Sequence, residues 1–370
     1  MTRPAAAPAP AGAAARPTPR FSVRPPMLTR AEVETDVRAL LAWAERAEAL
    51  GFDAVFIGDR LLAQARSRSQ VVYNGSGLDP LVTLSAIAAR TTRLGLGTLI
   101  YNVPFRHPIQ VAKSFASLDV MSGGRLIFGA GLGWSEAEFA ALGIAMRERG
   151  RLFEEAIPLL RSLWCGDVVT HRGRWRLDDV QIAPASPMPG GPPIWMASFA
   201  PSHSLDFSSG ISPAIARALR RVGRLADAWV PMTYSASARR HLSSRDAAAA
   251  WALVGAGADE AGRDLSAVKV IQSEWVYVLT DAGSRDRCRR ALSAYFTGDW
   301  DDAVRTYVIG SADEVAERLA GLSADIGHVD GFVFTPISNE PDQLALLADL
   351  RSSVAPVLST SSPLVPEGSA

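Results

Sequence analysis

The sequence predicts an α/β chain of the (β/α)8 TIM-barrel class, with insertions in its βα loops. Short β-branched or apolar runs alternate with amphipathic helical stretches, the pattern of βα units around a parallel sheet. Eight such runs can be placed, and 370 residues with 48% hydrophobic content suffice for one barrel-sized core. An open doubly wound sheet also buries its strands on both faces, so these observations alone leave it as the alternative.

The elements follow in order. RFSVRP (20–25) is the first strand, and the helix over 31–50 carries Val33, Val37, Leu40, Leu41 and Ala44 at helical spacing before Gly51 stops it. DAVFIG (53–58) is the second strand; Asp79 and Pro80 cap and open the next helix, 79–90. LGLGTLIY (94–101) is the third strand, followed by a helix over 108–121 and strand RLIFGA (125–130). Helices over 135–142 and 149–164 lead to a surface hairpin at 168–182, then strand PIWMAS (193–198), a helix over 212–226 and strand DAWVP (227–231). A helical insertion spans 236–262, and VKVIQSEWVYVLT (268–280) is the seventh strand. Helices at 285–297 and 313–323, strand GFVFTPI (331–337) and a closing helix over 341–357 complete the set. The loop 59–78, the hairpin and the insertion at 199–211 would build up a barrel mouth, where active sites of this class lie.

Residues 1–19 are Ala/Pro low complexity and read as a disordered arm, residues 359–370 as a flexible tail, and 20–358 as the barrel. Lys+Arg and Asp+Glu balance at 38 each, which disfavours nucleic acid and anionic membranes as partners and points to a small molecule. Two cysteines, Cys165 and Cys288, are too few for a disulfide framework or a Cys-based zinc site, so a cytoplasmic location is expected. No run is long and apolar enough to cross a bilayer.

GAGLGW (129–134) lies between a strand and a helix, as a dinucleotide fingerprint would, but its third glycine is replaced by Trp134. Gly131 and Gly133 would still let backbone N–H groups approach an anion or a flat ring. P-loop and nucleophile-elbow motifs are missing, and the five histidines have no metal spacing, so no metal is expected. His107, between Arg106 and Pro108, reads equally as a helix-start residue and as a catalyst. Asp59-Arg60 closes the second strand as a loop ion pair or as a mouth-facing pair. Trp134, Trp195, Phe199, Tyr234 and Trp275 fall near strand ends and together suggest an aromatic-lined pocket.

The blocks GFDAVFIGD (51–59), LGLGTLIYNVPFRHPIQVAKSFASLDVMSGGRLIFGAGLGW (94–134), RERGRLFEEAIPLLRSLW (147–164), PPIWMAS (192–198) and GSADEVAERL (310–319) resemble the bacterial-luciferase-like superfamily of flavin- and deazaflavin-dependent oxidoreductases. The resemblance runs from 20 to 358 and implies the barrel over the open sheet, with reduced FMN or coenzyme F420 as cofactor. It implies a cis peptide at the end of the third strand, here Leu99-Ile100 or its neighbour, forming a bulge against the cofactor ring. Thr98, Leu99, Ile100, Asn102, Gly131 and Leu132 would then line the ring and ribityl chain. Arg151 and the turn Gly210, Ile211, Ser212 would serve the cofactor's phosphate end, and Ser198 would also bind the cofactor. The chain departs from the family at Arg60, where luciferase and many deazaflavin dehydrogenases carry histidine, and at Trp134, where deazaflavin sugar-phosphate dehydrogenases carry glutamate. The segment 198–210 is longer than the family norm.

The expected activity is therefore FMN-dependent monooxygenation of a small organic substrate, with a separate flavin reductase as partner and a homo-oligomer as the assembly. The alternatives are F420-dependent hydride transfer and a non-catalytic flavin-binding protein. Asp59, Arg60, Asn102 and His107 are the polar groups expected nearest the chemistry, Arg60 as an anion stabiliser because an arginine stays cationic.

Overall fold

Eight parallel strands close on themselves: β1 (Phe21–Val23), β2 (Ala54–Ile57), β3 (Gly95–Thr98), β5 (Leu126–Gly131), β8 (Ile194–Ala197), β9 (Ala228–Val230), β12 (Lys269–Val278) and β14 (Gly331–Pro336). Neighbours pair in that order, β9 pairs β12 through Lys269↔Ala228, and β14 returns to β1 through Phe21↔Phe332. The computed structural model describes residues 20–26, 37–62, 77–197, 211–231, 233–235, 240–293, 296 and 298–358. The expected arm and tail, most of the loops 59–78 and 199–211, and Ser198 and Gly210 lie outside the described residues. No described helix is long and apolar enough to cross a membrane.

Strand alternation explains the core. Leu94 and Leu96 pack outward into the helix layer, whereas Gly95 and Gly97 face the barrel axis. A Cβ on Gly97 would lie 2.2 Å from the Phe56 ring, so glycine is required there. Phe56 in turn stacks on Trp195, with centroids 4.8 Å apart. Ala54, Phe56, Leu99, Ile127, Trp195, Ala228, Val230, Ile271 and Val333 form a buried axial cluster. The barrel is thus a packed plug with an open upper end, not a pore.

Local signals place the helices. Asp79 accepts N–H bonds from Leu81 and Val82 and opens α2 (Pro80–Ala88), which follows α1 (Val37–Ala49). Gly123, in the left-handed region at φ 71°, ends α3 (Pro108–Ser122). The helices α4 (Glu136–Ala141), α5 (Arg149–Cys165) and α6 (Pro213–Leu225) fall where the sequence predicts them, as does the hairpin β6 (Val169–Arg172) with β7 (Arg176–Val180).

Three local expectations are corrected. The third strand stops at Thr98 and resumes as β4 (Tyr101–Asn102), which pairs with Ala130 and Gly131. The stretch expected to be helical from 236 begins instead as an antiparallel pair, β10 (Tyr234–Ser235) with β11 (Arg240–His241), because Leu242 N–H bonds back to the Thr233 carbonyl. Ser243 then caps α7 (Ser244–Glu260). The helix expected to 297 ends earlier as α8 (Ser284–Leu292), and Asp299 caps a separate α9 (Trp300–Thr306) before β13 (Val308–Gly310). β13 is only three residues long and pairs with Val276–Val278, too short to show a period. A capping box at Ser311/Glu314 opens α10 (Ala312–Ile326), and α11 (Pro341–Asp349) and α12 (Arg351–Val354) close the chain.

One buried carboxyl sits in this wall. Glu274 points outward from β12, is 4% exposed, and accepts a bond from Gln272 Nε2 at 3.1 Å. Burial pushes its pKa up to about 7, against the lowering influence of Thr233, Gln272 and Arg318. Its folded value exceeds the ordinary 4.5, so its stabilising contribution is complete below that pH and is lost as pH rises through 7. Nearby His241 runs the other way, since burial holds it at about 4, but it is common to both proteins in a comparison. The melting temperature of Glu274→Gln relative to wild type is therefore expected to rise between pH 4.5 and 7, and a flat difference curve would refute the assignment.

Candidate active site

The exposure of axial side chains changes up the barrel. Phe56, Ile127, Trp195, Ile271 and Val333 are buried, while Ile100, Ala197, Ser273 and Trp275, nearer the C-terminal strand ends, are only half-buried. The strand ends therefore border an opening with an apolar floor.

The end of β3 gives this opening its shape. The Leu99-Ile100 peptide is cis, where the resemblance implied it. Leu99 N–H still bonds Ile57 O at 2.9 Å, and Ile100 O accepts from Asp59 N–H at 3.2 Å, so the bulge is stitched to β2. Its other side lies on β5. A Cβ on Gly129 would sit 1.8 Å from Thr98 O, and one on Gly131 would sit 2.3 Å from Ile100 Cγ2. The glycines of GAGLG thus admit the bulge itself, and Gly131 backs Ile100. Thr98 is fully buried and its hydroxyl donates to Gly129 O at 2.8 Å.

Asp59 is the centre of a buried clamp. Its carboxylate, 1% exposed, accepts from Arg106 Nη1 at 2.6 Å and Nη2 at 2.9 Å, and from Asn102 N–H at 2.9 Å. The Asn102 side-chain amide donates to Asp59 O at 3.0 Å. Arg106 also covers the Tyr101 ring at 4.2 Å and lies 3.7 Å from Asp79. Burial opposes the Arg106 charge, but the Asp59 pair outweighs it and raises the pKa. This bidentate pair joins the ends of β2 and β3.

Arg60, adjacent in sequence, goes elsewhere. Its guanidinium lies 4.7 Å from the Trp134 ring centroid, and its Nε donates to Leu62 O at 3.1 Å and approaches Glu138 Oε1 at 3.6 Å. The side chain is 13% exposed, and the buried Nη2 has no hydrogen-bond partner among the described residues. Glu138 is itself buried, and its Oε1 accepts the N–H groups of Leu61 (2.8 Å) and Leu62 (3.1 Å), tying the loop after β2 to α4.

The remaining sequence candidates separate. His107 caps α3: its Nδ1 accepts from Ile109 N–H at 3.2 Å, its ring meets Trp175 of β7's hairpin edge-on, and desolvation holds its pKa below the ordinary value. Arg151 is 55% exposed on α5, paired with Glu148 at 2.8 Å and Glu155 at 3.8 Å. Ile211 and Ser212 precede α6, where the Ser212 hydroxyl caps Ile215 N–H. Leu132 is half-buried beside Gly150. Sequence reasoning missed three residues. Arg106 was visible only as a basic neighbour of His107. Glu138 carries a faint signal, the Ser-x-x-Glu spacing from Ser135. Arg221, buried on α6 and paired with Glu154 at 2.8 Å, reaches toward Gly150 of α5, and nothing in the sequence marked it.

The profile described as luciferase-like monooxygenase matches residues 21–303. The curated proteins similar to this chain include an F420-dependent hydroxymycolic acid dehydrogenase of Mycobacterium tuberculosis, 30% identical over 242 residues that cover 64% of this chain and 58% of that protein. They also include an F420-dependent glucose-6-phosphate dehydrogenase of Amycolatopsis mediterranei, 32% identical over 169 residues, 42% of this chain and 49% of that protein. The chain spans about half the length of the curated relatives it matches. Among solved structures, monooxygenase RslO1 from Streptomyces bottropensis superposes with a TM-score of 0.70 at 26% identity, covering 91% of this chain and 99% of that one. An F420-dependent secondary alcohol dehydrogenase in complex with an F420-acetone adduct, at TM-score 0.68 and 18% identity over 91% of this chain and 99% of that one, shares the fold. With a closed (β/α)8 barrel, a cis bulge at the end of its third strand and a profile match over most of its length, the chain belongs to the luciferase-like monooxygenase family of oxidoreductases.

Proposed function

We propose that the protein is a flavin-dependent monooxygenase that takes reduced FMN from a separate reductase and uses oxygen on a small organic substrate. The observation that carries this reading is the protonation chemistry of the strand ends. Among the described residues there, Asp59 is held by Arg106, Glu138 is held by two backbone N–H groups, His107 caps a helix, and Arg60 is a permanent cation. Alcohol oxidation by hydride transfer needs an acceptor for the hydroxyl proton, whereas oxygen insertion does not take a proton from a substrate hydroxyl.

The residues present fit a flavin ring. Ile100, held by Gly131 and half-buried, offers an apolar backing surface, and the Asp59–Arg106 clamp keeps that surface in place. Asn102 lies on the polar edge of the bulge, and the N-terminus of α6 at Ile211 and Ser212 suits an anionic tail. Reduced FMN, when bound, supplies the electrons that activate oxygen. The protein binds and orients the ring and keeps water off its face with the apolar floor.

Monooxygenase RslO1 supports this reading by its identity and its coverage of nearly the whole chain. The second reading, F420-dependent hydride transfer, is favoured by the names of the curated relatives. Titration of the pure protein with FMN and with F420, followed by oxygen uptake after reduction, separates the two. FMN binding with oxygen consumption is expected; tight F420 binding without it would overturn the proposal.

A further inference from the structure

The barrel mouth contains a desolvated cation with a buried N–H group that meets no acceptor among the described residues. The Arg60 side chain is only 13% exposed, one face of its guanidinium lies over Trp134, and Nε is taken by Leu62 O. Nη2 is buried and has no acceptor among the described residues. A charged donor left in this state is unfavourable, and an incoming acceptor would relieve it. Arg106 has its own carboxylate, so the clamp does not answer this need. Glu138 offsets part of the Arg60 charge at 3.6 Å, but its Oε1 already accepts two backbone N–H groups.

The side chains next to Arg60 are apolar and partly exposed. Trp134 is 39% exposed, Leu61 40% and Leu62 37%; the two leucines follow Arg60 in the chain, and Trp134 lies against its guanidinium. The N-terminus of α6, which would suit the cofactor's anionic tail, follows β8, three strands around the barrel from β2. We infer that Arg60, Trp134, Leu61 and Leu62 form the substrate subsite, and that it takes a flat apolar molecule bearing an anionic oxygen, with that oxygen on the Arg60 guanidinium. This inference rests on the proposed oxidoreductase site but names a separate recognition property. Arg60 is here the residue that selects the substrate, with Trp134 as the platform for its apolar body.

The test uses 2-naphthoate and its neutral isostere 2-naphthamide as probes. Their dissociation constants are measured by calorimetry on the full chain, with and without whichever of FMN and F420 it binds. Wild type is expected to prefer the carboxylate by about 10- to 100-fold, the worth of a charge-assisted hydrogen bond. Arg60→Gln is expected to bring the ratio near one while leaving cofactor affinity unchanged. Arg60→Lys, which keeps the charge but loses the planar fork, should lower the ratio without abolishing it, and it carries the test if Arg60→Gln does not fold. A wild-type ratio near one, or a ratio unmoved by either substitution, overturns the inference. If neither cofactor binds, the proposed function falls, while an Arg60-dependent carboxylate preference in the same protein still supports the subsite.

Discussion

Gly129→Ala is expected to unfold the site without unfolding every strand around it. The added methyl would lie 1.8 Å from Thr98 O and 2.9 Å from Thr98 C, both backbone atoms of the adjoining strand. No rotamer change relieves that overlap, so β3 or β5 must move, at a cost at or above the roughly 1–3 kcal/mol usual for overpacking. The Thr98 hydroxyl would lose its bond to Gly129 O in the same movement. Gly131→Ala offers an internal comparison. There the obstacle is Ile100 Cγ2 at 2.3 Å, a side-chain methyl, so pairing Gly131→Ala with Ile100→Ala should restore much of the lost stability. The same Ile100→Ala change should not rescue Gly129→Ala. Thermal melts of these four variants and of wild type check this, and equal stability of Gly129→Ala and wild type would remove the basis for the packing of the bulge described above.

Arg106→Ala carries the second large expectation. It would leave the Asp59 carboxylate, 1% exposed, without its bidentate partner. Removing one member of a buried ion pair typically costs about 3–5 kcal/mol, because the remaining charge is uncompensated. Asp59→Asn in the same background removes that charge, so the double variant should be more stable than Arg106→Ala alone. Cofactor affinity should fall in Arg106→Ala as well, since the clamp holds the ends of β2 and β3 together. Denaturant unfolding of the double-mutant cycle is the measurement. A coupling energy near zero would mean that Asp59 and Arg106 do not act as a unit.

Much of the barrel was legible because its signals are local. Strand alternation in RLGLGT puts leucines on one face and glycines on the other, and Asp79-Pro80 and Gly123 act on bonds within a few residues. Even so, β13 and the β10–β11 pair escaped, being two or three residues long and held by partners far along the chain. The candidate site was legible by position and not by connection. Asp59, Arg60 and Asn102 were placed together at the strand ends, but the sequence left Asp59-Arg60 open between a loop ion pair and a ligand contact at the mouth. In the structure each turns away, Asp59 to Arg106 and Arg60 to Trp134 and Glu138.

The sequence by itself determined the strand–helix order, the inward and outward faces of the strands, and the caps that start and stop most helices. Those depend on periodicity and on hydrogen bonds between near neighbours. Only the tertiary structure decided which acceptor each arginine meets, that the glycines of GAGLG make room for the β3 bulge, and that Arg60 keeps a buried donor without an acceptor among the described residues. These depend on distances between residues 31 to 78 positions apart, set when the barrel closes and the strand ends come into contact.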